Sequence, residues 1–259
     1  MFMGRNLKTQ GKVGKGWYLV LFVAVLVRFL CGFEFTSSIM LATEVPIFYY
    51  FFHSPDKETR KKWLRVAVLV GILELLAFML AFTITIFQNM VWQKQGLLAA
   101  LNNITDAIKY RTGFMGAREN IQDYSGSVKD SLMESRGAVV RKYLTSSDAL
   151  WYTWSTRELC FFWVFSAIGK IFFEGRRSIQ DFANQGILLI VSLLPAISWY
   201  YLASAHSAIH TPVNYLLLLI PFVPICVGLL FKNVVEIVQI LVKKSEREKT
   251  AEVSVRDCQ

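Results

Sequence analysis

The sequence predicts an all-α polytopic membrane protein with about six transmembrane helices and a central extracytoplasmic helical hairpin. Of the 259 residues, 54% are hydrophobic and only 18% are charged, whereas about a quarter are charged in a typical soluble domain. Apolar runs recur along the chain at lengths near the roughly 20 residues that a helix needs to cross a bilayer. The lysines and arginines lie in short clusters beside these runs, as orientation signals do. We therefore expect the lipid bilayer, and no nucleic acid, as a partner.

The amino-terminal part divides into a basic tail, 1–16, and a membrane block of three spans, 17–92. An aromatic pair, Trp17 and Tyr18, follows the basic tail, which is typical of a cytoplasmic start and an interfacial anchor. No small-residue cleavage site follows, so the first span is expected to stay uncleaved. Spans one and two form a tight hairpin, and span three is apolar over about 42 Å, more than a hydrocarbon core of about 30 Å.

The one long polar stretch, 93–156, is predicted to be the extracytoplasmic helical hairpin. Apolar residues repeat there at alternating spacings of four and three, and a GFMG break separates two such series. A loosely ordered amphipathic loop is the alternative. The residues expected on the inner seam of the hairpin are Leu97, Leu101, Ile104, Ile108, Val128 and Leu132.

A second membrane block of three spans, 157–242, precedes a cytoplasmic charged tail, 243–259. Its first apolar run is short and is interrupted by Lys170, so an interfacial helix is an alternative to a span. Counting it as a span places both later basic clusters on the cytoplasmic side, which the usual charge bias favours. The sequence thus predicts a multi-pass protein of the cell membrane with both termini in the cytoplasm.

Three ionisable residues, Arg28, Glu44 and Glu74, lie inside the predicted spans of the first block. Counted from the cytoplasmic boundaries, each is roughly 16 Å deep at the helical rise. A charge at mid-bilayer is costly unless it is paired or hydrated, so we expect the three to form an intramembrane charge cluster. The cluster either fixes helix packing or provides a carboxylate that titrates or binds a cation. Lys232 could join at a similar depth, or its amine could extend to the interface.

Three prolines inside apolar runs, Pro46, Pro221 and Pro224, are possible helix breaks. Each lacks a backbone N–H and bends or interrupts a helix. Interrupted helices expose carbonyl groups that can line a cavity, although a simple kink is the more common result.

The sequence predicts no metal site and no cofactor. His206 and His210 are four residues apart, but no carboxylate or thiol lies close to them in sequence, so we interpret them as loop histidines. Cys31, Cys160 and Cys226 lie inside apolar runs and suggest no disulfide framework. Common catalytic motifs are absent, and the cytoplasmic segments are too short for a catalytic domain, which predicts that the protein is not an enzyme.

Two functions remain. The first is a non-enzymatic integral membrane subunit of a larger homo- or hetero-oligomeric assembly, in contact with copies of itself or other membrane proteins through 93–156. The alternative is an ion- or proton-conducting channel or transporter subunit that uses Arg28, Glu44 and Glu74 within the membrane.

Overall fold

The computed structural model describes residues 13–54, 56–112, 134–146, 154–175, 177–210 and 214–256. Within these ranges all regular structure is helical, which confirms the predicted all-α class. The helices are α1 (Lys15–Leu30), α2 (Thr36–Phe52), α3 (Lys57–Trp92), α4 (Leu97–Thr112), α5 (Arg136–Thr145), α6 (Thr156–Glu174), α7 (Arg177–Leu202), α8 (Ser204–Ile209), α9 (Leu216–Leu219) and α10 (Phe222–Arg256).

Three stretches of helix are long and apolar enough to cross a membrane: Lys57–Trp92, Ser178–Leu202 and Leu216–Glu246. This agrees with the predicted membrane location. Helices α1, α2 and α6 are shorter, with 16, 17 and 19 residues. The predicted count of six spans therefore stays a prediction.

The first three helices pack as a bundle in which α1 and α2, joined by a turn into a helical hairpin, each lie along α3. The two helices pack on α3 and hardly on each other, so the tight packing predicted between spans one and two is not seen. Helix α3 begins where the Asp56 carboxylate accepts a hydrogen bond of 2.7 Å from the backbone N–H of Thr59. At this end the rings of Tyr50 and Trp63 stack at 4.8 Å. At the hairpin turn, Phe33 contacts Phe82 at 6.2 Å between ring centres. The hairpin thus covers α3 from residue 63 to residue 82, about 28 Å at the helical rise.

Helices α6, α7 and α10 form a second bundle around an apolar core. Helix α6 starts with a capping box, in which Ser155 and Glu158 each bond the other's backbone N–H. The rings of Trp163 and Phe182 then stack at 5.2 Å between α6 and α7. Further residues of this core are Leu159, Ala167, Leu188, Leu189, Phe222, Cys226 and Leu229.

Helices α2 and α7 join the two bundles and run antiparallel to each other. Ser38 Oγ donates to the carbonyl of Pro195 at 2.5 Å, and Ser198 Oγ donates to Ser37 Oγ at 3.0 Å. Val45 of α2 packs into the core of the second bundle. This contact fixes how far the two bundles are shifted along each other.

The described helices of the 93–156 region, α4 and α5, pack on the ends of the bundles. On α5 the Tyr143 ring stacks on Tyr200 at 3.9 Å, and its hydroxyl donates to the Ser207 carbonyl at 2.6 Å. On α4, Ile104 is buried, whereas Leu97 and Ile108 are exposed. Because Val128 and Leu132 lie outside the described residues, the hairpin seam remains a prediction.

Candidate functional site

Two carboxylates from neighbouring helices meet inside the first bundle. Glu74 of α3 is only 1% exposed, and its Oε1 contacts Thr43 Oγ1 of α2. The next residue of α2, Glu44, points at the same stretch of α3, because its Oε1 lies 3.7 Å from where a Cβ on Gly71 would be. Gly71 precedes Glu74 by one helical turn. The Glu44 carboxylate therefore lies against α3 one turn from Glu74.

Neither carboxylate has a basic partner in the part of the chain that the structure describes. The ion pairs among these residues involve other acids. Glu44 Oε2 is buried and accepts no hydrogen bond there. A buried carboxylate in this situation is costly to keep ionised. The cost is removed when the carboxylate binds a proton, and it is reduced when a cation binds beside it.

The hydrogen bonds of Thr43 allow Glu74 to carry a proton. Thr43 Oγ1 lies 2.9 Å from the carbonyl of Met40 and also contacts Glu74 Oε1. A hydroxyl has a single proton to donate. If Thr43 donates to Met40, a protonated Glu74 can donate to Thr43; if Glu74 is ionised, Thr43 can donate to Glu74 instead. The contact can therefore form in both protonation states of Glu74.

Pro46 interrupts the backbone hydrogen bonds of α2 two residues after Glu44. It lies inside α2, where its missing N–H leaves the carbonyl of Ala42 without the usual donor four residues ahead. Ala42 directly precedes Thr43 and Glu44. Thr43 and the two acids supply a hydroxyl and two carboxylates, which are oxygen ligands of the kind that hard cations prefer.

Arg28, the third residue of the predicted cluster, lies at the hairpin turn. Its guanidinium donates to the carbonyls of Gly32 at 3.2 Å and Glu34 at 3.1 Å. The last carbonyls of a helix lack donors within the helix, and a nearby arginine can supply them. The structure thus brings Glu44 and Glu74 together, while the side-chain hydrogen bonds of Arg28 go to the turn.

The other predicted helix breaks differ from each other. Pro221 lies between α9 and α10, so the chain is interrupted at this residue. Pro224 lies in the first turn of α10, where helices tolerate proline because these N–H groups have no intrahelical acceptor. The structure also places Pro195 inside α7, where its carbonyl accepts from Ser38.

A second charged cluster, not predicted from the sequence, joins α6, α7 and α10. Lys170 Nζ lies 2.5 Å from Asp181 Oδ2 and 2.5 Å from Glu236 Oε2, and the Lys170 side chain is 7% exposed. Lys232 Nζ lies 3.0 Å from Asp181 Oδ2. Lys232 therefore pairs within the second bundle and does not join the acids of the first bundle. Glu174 lies 3.9 Å from Lys170 at the edge of the cluster. The spacing of four between Lys170 and Glu174, and between Lys232 and Glu236, was the available sequence signal.

Buried amides extend this cluster toward the core of the second bundle. Gln185 Nε2 donates to Asp181 at 3.0 Å and to Asn233 Oδ1 at 2.9 Å. Its Oε1 accepts from Trp163 Nε1 at 2.8 Å. Gln185 and Asn233 are 1% and 0% exposed. Because these hydrogen bonds link all three helices, we interpret the cluster as a structural tie.

The histidine pair does not form a metal site with other ligands among the described residues. The rings of His206 and His210 lie 4.5 Å apart, and His206 also contacts Trp199. No group of three or more His, Cys, Asp or Glu in the described ranges could hold a metal ion.

Comparison with known proteins identifies no relative of this chain. No protein-family model matches it. No curated protein matches it. No solved structure matches it.

Proposed function

We propose that this chain is a multi-span protein of the cell membrane that binds a proton or small cation at Glu44 and Glu74 and conducts or transports it. The observation that carries the proposal is that Glu44 of α2 lies against Gly71 while Glu74, one turn later on α3, contacts Thr43, with no ion pair to either carboxylate in the described residues. Ionisable residues within membrane helices are rare and most often mark ion or proton pathways.

The oxygen-rich surroundings determine which ligands fit. Thr43 Oγ1 contacts one of the two carboxylates, so the groups that meet here are oxygen ligands. Such a set suits a proton or a hard monovalent or divalent cation better than a soft transition metal. The proposal needs no cofactor and no enzymatic step.

The proposed topology has six spans with both termini in the cytoplasm. The hairpin of α1 and α2 covers about 28 Å of α3, and α6 is about 28 Å long at the helical rise, both close to a hydrocarbon core of about 30 Å. These lengths support counting α1, α2 and α6 as spans. In this arrangement the region 93–156 lies outside the cell.

A second candidate function is a non-enzymatic subunit of a larger membrane assembly, in contact with copies of itself or other membrane proteins. The observation that favours it is the exposure of α3: only 22% of its apolar, membrane-length stretch is buried. The exposed face carries Leu64, Val68, Ile72, Leu75, Leu76 and Met79. Helices of partner subunits could cover this face, as could lipid.

Flux measurements on purified protein in liposomes test the first candidate. A pH-sensitive dye inside the vesicles follows protons, and a sodium- or potassium-sensitive dye follows cations under an imposed gradient. We expect Glu74→Gln and Glu44→Gln to abolish flux that the unchanged protein supports. Glu58→Gln is the matched control, because Glu58 lies on α3 but is 76% exposed and pairs with Lys61.

Absence of flux in the unchanged protein, or equal flux in all four proteins, would refute the conduction proposal. The assembly candidate makes a different prediction. It expects the purified protein to have a defined oligomeric mass, whether or not Glu74 is changed.

A further inference from the structure

The exposed side of α3 begins with a group of basic side chains. Lys57, Lys61, Lys62 and Arg65 are all exposed. Successive residues of a helix are about 100° apart, so these four positions fall on one side of α3. Glu74 lies on the opposite, buried side of the helix. The basic group is therefore separate from the acid pair.

The same side of α3 continues as an apolar surface. Its next residues, between 49% and 56% exposed, are Val68, Leu69, Ile72 and Leu76. They follow Arg65 at spacings of three and four residues, which keep to one side of a helix. From Arg65 to Leu76 the helix rises about 16 Å, close to half of a hydrocarbon core of about 30 Å. The apolar surface therefore has the length of one bilayer leaflet.

The acids near the start of α3 do not neutralise the basic group. The segment 56–65 contains five basic residues and two acids. Asp56 caps the helix, and Glu58 pairs with Lys61 at 3.1 Å. Lys62 and Arg65 form no ion pair with any residue that the structure describes. Their charges are therefore available to an anionic partner.

The combination of charge and apolar surface selects one class of partner. Lysine and arginine side chains bind phosphate oxygens, and basic clusters next to a membrane helix attract anionic lipids. A nucleic acid or an acidic protein would pair with the cations but would leave the apolar surface below them uncovered. An anionic phospholipid matches both parts, because its phosphate and its acyl chains are joined in the same order.

We propose that this side of α3 binds an anionic phospholipid, with its phosphate beside Lys62 and Arg65 and an acyl chain along Leu69, Ile72 and Leu76. The assembly candidate assigns the same apolar surface to a partner subunit, whereas the cations at its end favour the lipid. The site shares no residue with the acid pair, so this proposal and the conduction proposal stand or fall independently.

Native mass spectrometry of the purified protein in detergent tests the site. The protein is titrated with phosphatidylglycerol, which is anionic, and separately with phosphatidylcholine, which has no net charge. We expect tighter binding of phosphatidylglycerol. Each cation near an anionic lipid surface contributes about fivefold in affinity, so Lys62→Gln combined with Arg65→Gln should weaken phosphatidylglycerol binding roughly 25-fold. Phosphatidylcholine binding should not change.

A double variant elsewhere is the matched control. Lys94→Gln combined with Lys109→Gln removes the same charge at exposed positions beyond the other end of α3 and should leave phosphatidylglycerol binding unchanged. Equal losses in the two double variants would show a general attraction to the charged protein and would overturn the site. Equal affinities of the unchanged protein for the two lipids would also overturn it.

Two further measurements complete the test. Glycerophosphoglycerol, the headgroup without acyl chains, should displace the lipid only at much higher concentrations. Displacement at equal concentrations would overturn the role of the apolar surface. Thermal unfolding without added lipid shows whether each variant is folded, and if the α3 double variant is unfolded, Arg65→Gln alone decides the result, with a loss of about fivefold expected. Unchanged binding in folded Arg65→Gln would then overturn the proposal.

Discussion

Lys170 of α6 and Asp181 of α7 are joined by an ion pair of 2.5 Å across the short connection between these two helices. The Lys170 side chain is almost fully buried, and Glu236 of α10 contacts the same amine. One lysine therefore holds three helices together. This arrangement gives the second bundle a polar centre, whereas the acids of the first bundle have no ion pair with a basic side chain of the described residues.

Replacing Lys170 by Met should destabilise the protein, because it leaves Asp181 and Glu236 with only the more exposed amine of Lys232 as a basic partner. Breaking a buried ion pair on one side costs about 3–5 kcal/mol, and we expect the lower end because both acids are partly exposed. Thermal unfolding in detergent measures the effect. Lys61→Met is the control: its pair with Glu58 is exposed, so a loss of about 0–1 kcal/mol is expected. Similar losses in both variants would contradict the buried tie.

The amide contacts give a second prediction for the same bundle. Gln185→Leu removes the acceptor of the Trp163 N–H and the partner of Asn233, leaving buried polar groups without hydrogen bonds. Each such group costs roughly 1–3 kcal/mol. Gln180→Leu on an exposed face of α7 is the control. Equal unfolding temperatures for the two variants would show that the amides do not stabilise the bundle.

The sequence predicted the helical class and the membrane location because composition and apolar runs carry that information directly. It also identified Glu44 and Glu74 as residues at one level. It predicted that Arg28 pairs with these acids, whereas its guanidinium donates to carbonyls of the turn, because counting residues from a boundary gives a depth but not a direction. The arginine lies two residues before the end of α1, so the carbonyls of the turn are within its reach. The contacts of Arg28 therefore follow from its position near the end of α1.

The cluster around Lys170 was missed for a related reason. In the sequence, Lys170 only interrupts an apolar run, and Asp181 lies close to the start of the next helix, where a charge is common. Such charges meet only if their helices pack together. The apolar periodicity of a helix in lipid does not specify which helices are its neighbours. The spacings of four on α6 and α10 indicated pairs within each helix but not the contact between helices.

Labelling of single cysteines tests the proposed topology. In a background without the native cysteines, Asn102→Cys and Lys109→Cys on α4 should react with a membrane-impermeant maleimide from outside. Lys61→Cys and Lys243→Cys should react only after permeabilisation. All four positions are exposed, so their reaction depends on the side of the membrane. Cysteines at buried positions such as Ser54, Ser178 and Ser207 would react poorly on either side. Labelling of Lys243→Cys in intact cells would contradict a cytoplasmic carboxyl terminus.

The last prediction concerns the relation between Arg28 and the acids. In the structure the guanidinium donates to two carbonyls of the hairpin turn, so Arg28→Ala should destabilise the protein through the loss of these bonds. A hydrogen bond to a charged group contributes about 1.5–3 kcal/mol. Because neither acid is among its partners, the effect of Arg28→Ala should be the same in a Glu44→Gln or Glu74→Gln background.

Double-mutant cycles on the free energy of unfolding measure this independence. Groups without direct contact usually have additive effects, within about 0.3–0.5 kcal/mol, whereas charges that contact each other couple more strongly. If the three residues formed the predicted charge cluster, Glu44→Gln or Glu74→Gln would restore the stability lost in Arg28→Ala, because each change removes one uncompensated negative charge. Additive cycles would support the contacts in the structure and leave the two acids free to bind a proton or cation. A rescue well above the additive value would show that Arg28 neutralises one of them, and the conduction proposal would then rest on the other acid alone.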